Sequence, residues 1–255
     1  MAFLRASIAF VISISAMAVV RPRLLKNSPR ALGFFVLYGF CGVAAFYLSY
    51  TQAIIQTSVT TAVVLLYTAP MFVTLIAWRV WGEPLNARKI IALVLAFVGC
   101  ALVARAYDPT QLSINLIGIG FGLAAGFTYA LFTVFSKAAL KQYSSWTALT
   151  YALLFGALFL LPLQTPQSFL ALAEQPTVWI LLLGLALGPT LGAFASFNAG
   201  LREVPASDAS LVATIEPVVA SALAFLVLGE RLEHLQIVGG GMVIAASVWL
   251  NLTRT

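Results

Sequence analysis

Glu216 and Pro217 stand side by side in "IEPVVASALAFLVLGERL", a stretch otherwise made of Val, Ala, Leu, Ile and Phe. A carboxyl in so apolar a run has few roles: it holds a proton, it receives a cationic group, or it is bonded internally to a carbonyl or hydroxyl. The proline beside it withholds one backbone N–H and leaves the carbonyl of Ala213 without its helical donor. Pro70 does the same to Leu66 in "YTAPMFV". Such breaks supply carbonyls or a bending point to a solute pathway, or are kinks satisfied by a neighbour. Hydroxyls accompany both prolines. Ser207, Ser210, Thr214, Pro217 and Ser221 recur in steps of three and four, and Thr60, Tyr67, Pro70 and Thr74 form the counterpart. Glu216 points away from that stripe, toward Ala209, Ala213 and Ala220, so two faces of one helix compete to line a cavity, and hydroxyl stripes also serve plain packing. Tyr50, Tyr129, Phe197 and Asn198 add ring faces and an amide suited to a small amphipathic solute.

These groups need elements that hold them in a bilayer. Hydrophobic residues make up 62% of the chain and charged ones 9%, more apolar surface than a 255-residue water-soluble fold can hide. Nine apolar runs, 4–20, 32–54, 59–80, 88–105, 115–137, 145–164, 177–200, 206–228 and 235–251, are each long enough at about 1.5 Å per residue to cross a hydrocarbon core roughly 30 Å thick. Strand alternation is lacking, so the fold class is all-α, a polytopic transmembrane bundle. The first run is followed by "RPRLLKNSPR", whose cations mark a retained helix rather than a cleaved leader. With that loop inside, Arg21, Arg23, Lys26, Arg30, Arg79, Arg88, Lys89, Lys137, Lys141, Arg202 and Arg254 fall on the cytoplasmic side, and only Arg5, Arg105 and Arg231 fall outside. The +6 balance thus reports orientation in the cell membrane, with a cytoplasmic C-terminus, and not a nucleic-acid partner.

Cys41 and Cys100 lie inside apolar runs and read as small buried thiols, and His234 opens a helix. No metal cluster, nucleophile triad, cofactor motif or phosphate-cradling loop can be assembled, and Glu216 is the one acid read deep inside a span, which argues against an enzyme. The Asn251-Leu252-Thr253 sequon falls on the cytoplasmic side.

Sliding the chain by 147 residues lays "LLYTAPMFVTLIAWRVWGEPL" on "VATIEPVVASALAFLVLGERL". Pro70 then meets Pro217, Ala77 meets Ala224, Val80 meets Val227, and Gly82, Glu83 and Leu85 meet Gly229, Glu230 and Leu232. Tyr50 meets Phe197, while Glu216 meets Ala69. Five crossings separate the copies, so they run in opposite directions, a construction recurrent in secondary transporters. The expected domains are 1–106 and 107–255, with four helices in the first and five in the second. The run 115–137 has no counterpart. Gly82 and Gly229 suit helix-ending residues, and the acids after them are expected to cap or charge the next turn.

The motifs "FLRASIAF", "YLSYTQAIIQTSVTTAVVLLYTAPMFV" with "WGEPL", and "SFNAGLREVPASDASLVATIEPVVA" with "LGERL" resemble the drug/metabolite transporter superfamily, in particular its EamA-type members. That resemblance implies ten helices in two repeats of five, of which this sequence lacks the first. It also implies export of amino acids, related metabolites or drug-like compounds by alternating access. The expected partners are a small-molecule substrate, protons, the lipid bilayer and a second copy in a homodimer. The pathway candidates are Glu216, Pro217, Pro70, Thr214, Ser210, Tyr67, Tyr50, Phe197, Asn198 and Tyr129. The alternative is a non-transporting, truncated membrane subunit.

Overall fold

The computed structural model describes residues 2–25, 28–164 and 176–252; Lys26, Arg254 and the Thr253 of the sequon lie outside them. The described residues form nine helical spans and no strand. We number them α1 (Ala2–Val20), α2 (Pro29–Gln56), α3 (Val59–Trp81), α4 (Ala87–Val103), α5 (Leu116–Leu140), α6 (Ser145–Leu163), α7 (Thr177–Glu203), α8 (Ala206–Leu228) and α9 (His234–Leu252). Seven are long and apolar enough to cross a membrane, and α4 and α9 are the shorter or less hydrophobic pair.

Local chemistry sets the boundaries. Ser28, Ser58, Asn86 and Ser144 each accept a hydrogen bond from the backbone N–H three residues on, satisfying donors that a helix start leaves orphaned. Gly82 and Gly229 end α3 and α8 at φ 67° and 70°, where a Cβ would be strained. The 147-residue offset carries through the backbone. Two π-helical stretches, Gly39–Ala44 in α2 and Ala186–Gly192 in α7, sit at matched positions, as do the starts of α3 and α8 and of α4 and α9. The architecture is an inverted repeat of four helices and five, and α5 is the unmatched one.

Contacts group the chain into two compact units that each draw on both copies. Unit 1 holds Met1–Tyr47 and Leu131–Glu203. In it α6 packs against α1 and α2, and α1 also packs against the π-helical stretch of α7. Its core is aromatic: Phe35 stacks on Tyr151 at 5.2 Å, and the fully buried Tyr38 lies 5.7 Å from Phe135 with its hydroxyl 2.5 Å from Ser136 Oγ. Gly39 is required there, because a Cβ would fall 2.5 Å from Phe155 and 2.7 Å from the Gly156 nitrogen.

Unit 2 holds Leu48–Ala130 and Val204–Thr255. Its most extensive contact is α4 against α9. Gly99 and Gly239 face each other so closely that a Cβ on either would lie 2.6–2.7 Å from the other's carbonyl oxygen, the close backbone approach that small residues permit between helices in lipid. Leu93, Leu211, Ala246 and Leu250 fill the space around the seam.

Candidate functional site

Both proline-containing helices of unit 2 are interrupted, not merely bent. In α3 the first half ends at Leu66 and the second begins at Ala69, with Pro70 in its first turn. In α8 the first half ends at Ala213 and the second begins at Glu216, with Pro217 behind it. Tightened bonds close each break: Thr68 N–H to Leu65 O at 3.1 Å, and Thr214 and Ile215 N–H to Leu211 and Val212 O at 3.0 and 3.1 Å. Glu216 is therefore the first residue of a half-helix. There the orphan N–H groups and the positive end of the helix dipole favour an anion, which offsets part of the cost of an acid in this span.

Around that break the structure gathers four of the residues singled out in the sequence. The Tyr67 hydroxyl, at the break in α3, lies within electrostatic reach of Glu216, Cys100, Tyr129 and Tyr50, and Tyr50 is itself within reach of Glu216. Tyr50 comes from the end of α2, Tyr129 from α5 and Cys100 from α4. The Cys100 Sγ donates to Thr214 O at 3.7 Å, a carbonyl at the break itself. Tyr50, Tyr67 and Tyr129 are half-buried and Glu216 is exposed from the protein matrix. One carboxyl, three phenols and a thiol thus surround two helix interruptions, a group able to meet a cationic or hydrogen-bonding solute or to carry a proton.

The competing hydroxyl face is packed away. Ser207, Ser210, Thr214, Pro70 and Pro217 are buried, and the Thr214 hydroxyl donates to Leu211 O at 2.6 Å. Phe197 and Asn198 belong to unit 1; Phe197 is half-buried, and Asn198 is fully buried with neither amide atom hydrogen-bonded among the described residues.

A second polar cluster in unit 2 escaped the sequence reading. Glu83, just past α3, accepts from Ala206 N–H at 2.8 Å, from Ser207 N–H at 3.3 Å and from the Ser207 hydroxyl. It thus caps α8 instead of the next turn of its own chain, because Pro205 at the start of α8 offers no side-chain cap. Lys89, 5% exposed, donates to Ser207 Oγ at 2.7 Å and pairs with Asp208 at 3.0 Å and Glu83 at 4.0 Å. In the sequence Lys89 counted as one more interior cation, and Asp208 went unremarked at the edge of its span. The only hint was three charged residues within one turn of the ends of three apolar runs.

The EamA-like transporter family model matches this sequence over residues 1–105 and 116–252. The chain belongs to the EamA-like transporter family. Among the relatives of this EamA-like protein, a transporter of uncharacterized function from Archaeoglobus fulgidus is 32% identical over 216 residues, covering 85% of this chain and 74% of that one. A protein of Streptantibioticus cattleyicolor named a probable terminal-alkyne amino-acid exporter is 28% identical over 252 residues, covering 96% and 80%. A crystal structure superposes on 99% of this chain and 86% of its own with a TM-score of 0.83 at 15% identity, a likeness of fold alone. The EamA-like chain is accordingly a multi-pass membrane transporter, whose natural partners are a small-molecule substrate and the lipid bilayer.

Proposed function

We propose that this EamA-like protein is a secondary exporter of small organic metabolites, amino acids or drug-like compounds, in the cytoplasmic membrane with its C-terminus on the cytoplasmic side. The observation that carries the proposal is the position of Glu216 at the broken centre of α8, within electrostatic reach of Tyr50 and Tyr67. Interrupted helices at matched positions in two inverted copies are what alternating access uses, since each break lets half a helix tilt while freed backbone groups stay available to a solute. Pro70 and Pro217 serve as the bending points. Tyr50, Tyr67 and Tyr129 receive the solute, and Glu216 takes up a proton or a cationic group as the solute leaves. Thr214 and Ser210 contribute by holding the break in place, and Phe197 and Asn198 of α7 are further residues of the solute pathway. The two sequence copies, 1–106 and 107–255, act as the pseudosymmetric repeats.

Counterflow in proteoliposomes against a panel of amino acids, nucleosides and cationic dyes tests the assignment. At least one class should exchange, and Glu216→Gln should slow that exchange at least about tenfold and flatten its pH dependence. Unchanged rate and pH profile in Glu216→Gln remove the proton role. Labelling of Glu83→Cys and Glu230→Cys from one side of the bilayer should modify one position and not the other; reaction of both would end the inverted-repeat mechanism.

A further inference from the structure

We propose that Arg5 of α1 is a recognition site for the carboxylate of the transported solute, a proposal that rests on the transporter reading and narrows its substrate class. Arg5 Nε donates to Thr190 Oγ1 at 2.6 Å. Thr190 lies midway along α7 (Thr177–Glu203) and is itself 1% exposed, so the guanidinium head reaches the middle of a membrane-spanning helix. A cation at such a depth is costly and normally finds an acid or lines a solute path. Among the described residues Arg5 donates a hydrogen bond to Thr190 and takes part in no ion pair.

The local backbone explains why Thr190 can hold it. Pro189 has no N–H to return to the carbonyl of Leu185, and the helix widens into its π-helical stretch there. The Thr190 hydroxyl donates to Leu185 O at 2.9 Å instead, which commits its proton and turns a lone pair toward Arg5. With Nε fixed, the two terminal nitrogens of the guanidinium form an open fork. That fork matches the two oxygens of a carboxylate, where a lysine would offer only a point charge. Tyr47, half-buried on α2, lies within electrostatic reach of the guanidinium and brings a second hydroxyl to the site. Two turns beyond Thr190 on α7, the buried amide of Asn198 adds a polar group with no hydrogen-bonded partner among the described residues. All of these residues lie within unit 1. The hydroxyls beside the cation select for hydrogen-bond acceptors, and no acid among the described residues pairs with Arg5 in competition with an incoming one.

Equilibrium binding to the full chain in nanodiscs tests the site without requiring transport. The probes are L-leucine, L-phenylalanine, phenylacetate and 4-methylpentanoate, each paired with its own amide, which keeps the shape and loses the charge. At least one acid should bind about tenfold or more tightly than its amide, and Arg5→Gln should bring the two within about twofold of each other. Arg5→Lys keeps the charge without the fork, and Thr190→Val keeps Arg5 without its anchor. Both should lower the preference by about threefold or more, and they serve where Arg5→Gln does not fold. The site is overturned if no acid in the panel is preferred to its amide, or if the preference survives in Arg5→Gln, or in both Arg5→Lys and Thr190→Val. Counterflow of nucleosides or cationic dyes that persists in that event would leave the transporter reading standing, so the two failures can be told apart.

Discussion

The two ends of the α3 and α8 pair carry the same Gly-Glu-x-Leu sequence and the same left-handed glycine, yet only one end is locked. Glu83 is drawn in to cap α8 and meets Lys89, which also pairs with Asp208, whereas Glu230 is exposed. Three matched positions account for the difference. Pro205 cannot cap its helix, but its counterpart Ser58 caps α3 itself, accepting from Thr61 N–H at 3.1 Å. Asp208 is replaced by Thr61, whose hydroxyl donates to Ser113 O at 3.3 Å. Lys89 is replaced by Gln236, which bonds Glu233 N–H and Val103 O at 3.1 Å each. A helix that supplies its own cap has no use for a remote acid, and without a buried cation that acid stays in solvent. The lesson is that the duplicated motif leaves the role of its glutamate open; the partner helix's first residue decides it.

The comparison can be broken most forcefully at Lys89. Lys89→Met leaves Glu83 and Asp208 buried without their cation and should cost about 3–5 kcal/mol, read as a fall in melting temperature in detergent, with Asp208→Asn in the same chain recovering part of the loss. Glu83→Gln keeps the shape but weakens the charge-assisted cap of α8, for an expected loss of about 2 kcal/mol by the same measurement. At the other end, Glu233 accepts from Arg105 at 2.5 Å and from the Tyr107 hydroxyl at 2.6 Å, in a pair more than two-fifths exposed. Glu233→Gln should therefore cost no more than about 1 kcal/mol, and less at high salt. Glu230→Gln should leave the melting temperature unchanged. A Glu230→Gln loss as large as that of Glu83→Gln would show that the ends are alike.

Much of this was legible from the residues. Apolar run length marks the spans and the proline and glycine punctuation gives the repeat, while Tyr50, Tyr67, Tyr129 and Glu216, singled out as aromatic or acidic groups inside apolar runs, all fall in unit 2. The choice between the two faces of α8 was not legible. Helical spacing separates the Ser207–Thr214 stripe from Glu216 but does not say which face a neighbour covers, and that depends on α3 and α4 from far along the chain. Glu83 stayed hidden for a similar reason: its donors lie more than a hundred residues away, and local rules assign such an acid to its own next turn. Lys89 looked like one more orientation signal because composition cannot tell a buried cation from a solvated one.

The seam at Gly99 and Gly239 bears on any motion the protein makes. Two backbones touching without intervening side chains have no soft layer to shear, so α4 and α9 should travel as a single strut, and displacement must be taken up by the interrupted neighbours on either side. A side chain as small as alanine's at either glycine would wedge that strut apart, and its damage would spread along both helices instead of staying at one residue.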